Sequence, residues 1–74
     1  MNLAQLQIGE SAKVREVSGN GETAQRLMEL GFVEEAWLKV LGRAPWGGPL
    51  QVKLRGCSYA IRQTEAELVE LLDG

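Results

Sequence analysis

The chain has no histidine, a single cysteine (Cys57) and only two prolines, and aromatic residues make up 5% of it. Each shortage removes a chemistry. Without histidine there is no Cys/His zinc finger, no histidine-ligated iron–sulfur site and no Ser-His-Asp or Cys-His catalytic pair. One cysteine cannot form an intrachain disulfide, which suits a reducing compartment. No run of consecutive apolar residues exceeds three, whereas a membrane span needs about 18. The opening stretch MNLAQLQIGE carries neither a basic n-region nor an apolar h-region. The expectation is therefore a soluble, cytoplasmic protein without direct membrane insertion.

What is present is the composition of an ordinary globular domain. In 74 residues, 45% are hydrophobic and 24% charged, and the formal net charge is −2. That length allows one domain, residues 1–74. A chain of this size buries only about 60% of the surface its unfolded form exposes, so its core must be compact.

Glycine and alternation divide the chain. Leu3 and Leu6 suit one helical turn, ended by Gly9. Residues 12–17 read as a strand, with Ala12, Val14 and Glu16 on one side and Lys13, Arg15 and Val17 on the other. After the turn cluster Ser18 to Gly21, Ala24, Leu27, Met28 and Leu30 have helical spacing. Gly31 is placed to end that helix in the left-handed conformation, and Phe32 and Val33 to fold back over it. In 36–42, Leu38 and Val40 oppose Lys39 and Leu41. In 50–55, Leu50, Val52 and Leu54 oppose Gln51, Lys53 and Arg55, the clearest period of two in the chain. Gly56-Cys57-Ser58 reads as a tight turn and 59–62 as a further strand. Residues 44–49 form a loop. Thr64, with Glu67 three positions later, has a capping-box pattern. The apolar residues of 68–72 fit a helix or a closing strand. Several short strands, one early helix and glycine-rich turns predict a mainly β fold, a small barrel with a short helix inserted after the first strand.

Charge is unevenly distributed. Between residues 36 and 64 stand Lys39, Arg43, Lys53, Arg55 and Arg62 with no acidic residue. Alternation places them on the outward side of the strands, where they either steer an acidic partner or simply solvate the sheet. The sequence pI of about 5.0 argues against nucleic acid as the main ligand. Trp46 lies in a loop between Pro45 and Pro49, beside Gly47. Such a tryptophan is either an exposed interaction anchor or the cap of one barrel end. Trp37 is expected to pack on the helix. Arg26 and Glu29, three apart, either pair with one another or present a charged face to a partner. Gly19-x-Gly21 and Gly47-Gly48 lack the remainder of any phosphate-binding motif and read as turns. Nothing supplies a general base for Cys57, which reads as a tolerated turn residue.

Four stretches carry a resemblance across essentially the whole chain: Leu3-x-x-Leu6-x-x-Gly9; Arg26-Leu27-Met28-Glu29-Leu30-Gly31; Ala44-Pro45-x-Gly47-x-Pro49-Leu50-x-Val52; and Gly56-x-x-Tyr59-Ala60-Ile61-Arg62-x-x-Glu65-Ala66. In this order they resemble the ferrous iron transport protein A (FeoA) family. The chain departs from that pattern at Ala24, where many members have a second basic residue. It departs again at Glu34-Glu35, in place of a Pro-Gly turn, and at Trp46 and Gly48, in place of Leu and Asp. These departures are expected to fall mostly at exposed positions.

The resemblance implies an SH3-like β-barrel whose last segment is a helical turn followed by a strand. It also implies a cytoplasmic accessory of iron homeostasis, acting with the FeoB-type membrane iron transporter and linked to transition metal ions. Such a protein is expected to be a binding module rather than an enzyme. The surface expected to meet the transporter's cytoplasmic part, its GTP-binding domain or an adjacent surface, comprises Arg26, Glu29, Pro45, Trp46, Gly47, Lys53, Arg55 and Arg62. The alternative is a regulatory module resembling the C-terminal domain of metal-dependent repressors. No cofactor and no resident metal are expected. Iron(II) favours clustered imidazole, thiolate and carboxylate ligands, and the only acidic clusters are Glu34-Glu35 and Glu65, Glu67 and Glu70, which read as solvated faces.

Overall fold

The computed structural model describes residues 1–72; the last two positions of the expected 1–74 domain lie outside the described residues. A 3₁₀ turn (Leu3–Gln5) leads into β1 (Ser11–Val17), α1 (Glu22–Leu30), β2 (Trp37–Arg43), β3 (Leu50–Leu54), β4 (Cys57–Ile61), α2 (Gln63–Ala66) and β5 (Val69–Leu71). The strands form an antiparallel sheet in the order β4-β3-β2-β1-β5.

Two strands carry irregularities that bend the sheet: β2 has a register break between Val40 and Gly42, and β1 changes partner along its length. Ser11–Lys13 pairs with β2, whereas Val14–Val17 pairs with β5. A register break between Val14 and Glu16 accompanies the change. Such a bulge bends the strand and increases its twist. It also shifts the alternation, so that Val17, expected opposite Val14, packs with Ala12 and Val14 against the same core. The sheet curls as expected of a small barrel but stays open between β4 and β5, where the 3₁₀ turn lies against α2 and β5.

Leu38, Val40, Leu50, Val52, Leu54 and Ile61 are all buried on the inner face, as the alternation requires. They meet Leu3, Leu27, Phe32, Val69 and Leu71 in one cluster. The helix ends as expected. Gly31 has φ 118°, and the Phe32 amide donates to the Leu27 carbonyl at 3.1 Å. This close turns Phe32 into the core, fully buried, and burial of such a side chain stabilises by roughly 1.5–3 kcal/mol. Gly31 also packs closely: a Cβ there would lie 3.3 Å from Leu54 Cδ2. Val33 does not follow Phe32 inward and is exposed. Ala24 is buried at 2% exposure, so that departure from the family pattern lies in the core rather than on the surface.

Two turn assignments change. The β3–β4 turn is Arg55-Gly56, not residues 56–58. Arg55 (φ 52°) and Gly56 (φ 82°) form a two-residue hairpin, and Cys57 already pairs with Leu54. The cap of α2 is Arg62 rather than Thr64. The Arg62 amide donates to Glu65 Oε1 at 2.8 Å. The segment then continues as helical turn and strand, as the resemblance implied.

Candidate interaction surface

Pro45 and Gly48 close the β2–β3 hairpin. The Gly48 amide donates to the Pro45 carbonyl (3.2 Å) and the Ala44 amide to the Pro49 carbonyl (2.9 Å). The central residues Trp46 (φ 56°) and Gly47 (φ 73°) both have positive φ, as a type I′ turn requires. Left-handed backbone costs a bulky residue about 1 kcal/mol, yet Trp46 is held there with 99% of its surface exposed. Of its two readings, the barrel cap is therefore excluded. Gly48 lets the loop close: a Cβ there would stand 2.6 Å from the Ala44 Cβ.

Trp37 is also outside. It is 61% exposed and does not pack on the helix. The physical reason is parity: Trp37 precedes buried Leu38 and is in phase with Lys39 on the outer face. Lys13 Nζ lies 5.4 Å from its ring centroid and 3.8 Å from Glu35 Oε1. The two tryptophans mark opposite ends of β2, a strand of seven residues, or roughly 20 Å at the usual rise.

The basic residues separate into two groups. Lys39 and Lys53 stand directly opposite one another on the outer face. Arg55 lies in the hairpin turn instead of on a strand face, and Arg62 is exposed beside α2. Two other arginines serve the fold. Arg43 reaches back to donate to the carbonyls of Ala4 (3.0 Å) and Leu6, and so ties the 3₁₀ turn to the hairpin. Arg26 pairs with Glu65, 39 positions away, and not with Glu29. Glu29 is exposed, with no ion-pair partner among the described residues. Sequence distance hides both tethers; nothing local in either segment signals them.

The acidic cluster near the C-terminus is likewise divided. Glu65 is nearly buried and joins α1 to the start of α2, Glu67 is exposed, and Glu70 lies in β5 opposite Glu16. Among the described residues, no three acidic or cysteine side chains converge. Cys57 is exposed. Tyr59, two residues along β4, has its ring 6.3 Å from that of Phe32. Burial raises its phenol pKa above the ordinary value, and the neighbouring Cys57 thiol adds to the rise.

Residues 1–71 match the FeoA domain model. An iron transporter of Porphyromonas gingivalis, an Fe(2+) transport protein A/Fe(2+) transporter FeoB fusion protein, is 28% identical over 71 residues. The match covers 96% of this chain and 8% of that protein, so the chain spans a small part of its relative. FeoA of Stenotrophomonas maltophilia, solved with zinc, is 35% identical with a TM-score of 0.86. That match covers 96% of this chain and 88% of the other, a prokaryotic SH3 domain protein suggested to be a ferrous iron transport activating factor. A manganese-dependent transcriptional repressor, solved with manganese, has a TM-score of 0.87 over 96% of this chain and 35% of its own. At 17% identity that likeness shows the fold alone. No helix among the described residues is long and apolar enough to cross a membrane.

Proposed function

The chain belongs to the FeoA family, and from that premise we propose that it is a non-enzymatic binding module of ferrous iron uptake. It acts in the cytoplasm, docks on the cytoplasmic part of an FeoB-type transporter and modulates transport. The observation that carries the partner is the Porphyromonas relative, in which an FeoA part and an FeoB transporter form one polypeptide. Fusion holds two modules at a high effective concentration, an arrangement that favours contact between them.

Trp46 anchors the contact. A tryptophan loses little entropy on binding and buries a large area, more so on a turn that already holds its backbone. Pro45 and Gly47 hold the turn, and Arg62 supplies charge beside it. Ile61 pairs with Leu50, which places Arg62 at the same end of the hairpin. Glu29 on α1, Lys53 on the outer sheet face and Arg55 in the β3–β4 turn are further contact positions. Arg26 contributes through its grip on Glu65.

Capture of the full-length transporter in detergent micelles tests this reading. Wild-type protein is expected to retain the transporter, and Trp46→Ala to lose most of it while keeping a native NMR spectrum. Equal capture by both proteins would remove Trp46 as the anchor. No capture by either would remove the partner.

A further inference from the structure

Trp37 serves neither the core nor the hairpin tip, and it stands between two shallow grooves of different character. The first, about 540 Å³, brings Met1, Leu6, Ala12 and Leu72 to one side of the indole. The second, about 400 Å³, is lined by Lys39, Lys53 and Arg55 on the other side. Met1 and Leu72 are exposed apolar side chains, at 58% and 39%.

The basic groove is costly to the free protein. Lys39 and Lys53 face one another across β2 and β3, and like charges directly opposite destabilise a sheet. Among the described residues neither lysine, nor Arg55, has an ion-pair partner. Three cations thus gather round an exposed indole with no internal neutralisation.

We infer that this face binds an acidic segment of a partner protein carrying an apolar residue beside its carboxylates. The apolar side chain packs on Trp37 in the groove of Met1 and Leu72, and the carboxylates lie over Lys39, Lys53 and Arg55. Charge complementarity selects the acid, and the adjoining apolar groove selects a peptide over a uniform polyanion. Glu10 and Lys13 both line the apolar groove and Lys13 is paired with Glu35, so the unpaired positive charge is confined to the other groove and a nucleic acid laid along the whole face gains attraction from only part of it. The inference goes beyond docking by Trp46, which lies at the other end of β2.

The test is a ¹H–¹⁵N titration of the full chain with a short peptide in which a leucine is flanked on both sides by aspartates. The Trp37 indole and the amides of Ser11, Lys39 and Lys53 are expected to shift, and the Trp46 indole to stay in place. The same peptide with lysines for the aspartates is expected to leave the spectrum unchanged. Lys39→Glu/Lys53→Glu is expected to weaken binding about tenfold, and the milder Lys39→Gln/Lys53→Gln less, both with native spectra. An absence of shifts at millimolar peptide would overturn the inference, as would undiminished binding by both double variants. Tighter binding of a single-stranded oligothymidylate than of the peptide would assign the face to nucleic acid and overturn it too. Lys53 and Arg55 also stand in the proposed transporter contact, so the two readings are separated with Trp46→Ala, which leaves this face intact: lost capture with retained peptide binding, or the reverse, tells which reading fails.

Discussion

On the inward side of the β2–β3 hairpin, Leu38 faces Leu54 and Val40 faces Val52, and none of the four is more than 2% exposed. On the outward side of the same strands Lys39 faces Lys53, beside a tryptophan that is 61% exposed. The inward pairs satisfy both packing and register. The outward pair satisfies neither charge nor burial. The hairpin tip repeats the outward pattern, with Trp46 in a backbone conformation that suits a much smaller residue. Stability and recognition are thus built on opposite sides of the same strands, and substitutions on the two sides should behave differently.

The largest effect belongs inside. Leu54→Ala is expected to cost 2–5 kcal/mol in urea denaturation. That is a large share of the total stability of a domain this small, so a loss below 1 kcal/mol would show the inner face to be loosely packed. Next is the tether between α1 and α2. Glu65→Ala releases Arg26 and leaves the Arg62 amide without its acceptor, for an expected loss of about 1–3 kcal/mol. Arg26→Ala should cost less, because its side chain is 52% exposed. Equal losses would place the energy in the ion pair rather than in the cap.

On the outer side the sign reverses. Trp46→Asn creates Asn-Gly, the preferred pair for a type I′ turn, and is expected to raise stability by about 0.5–1 kcal/mol in the same assay. The smallest effect is Lys39→Glu, which turns a repulsive cross-strand pair into an attractive one. A gain of a few tenths of a kcal/mol is expected, fading as salt is added. A loss of stability in either outer variant would contradict the division between the two sides.

How far the sequence discloses this arrangement depends on the range of the interaction. Strict alternation in Leu50–Leu54 and the glycine after Leu30 are local signals, and both led to the right element. The bulge in β1 leaves no mark on composition, so plain alternation puts Val17 on the wrong side. The phase of Trp37 with Lys39 is legible in the alternation, and it sets the indole outside rather than on the helix. Thr64 is the better capping residue by type, yet Glu65 lies three positions after Arg62, and that spacing sets the cap. Arg26–Glu65 and the bond from Arg43 to Ala4 join segments 39 positions apart in the chain. Only the folded sheet brings them together, so the part these two arginines play in bracing the scaffold leaves no local mark in the sequence.

The account is tested most directly by measuring stability and transporter affinity together on Trp46→Asn. A higher unfolding midpoint with affinity for the full-length transporter reduced by about tenfold or more is the predicted result. Unchanged affinity, or weaker binding accompanied by a lower midpoint, would contradict it.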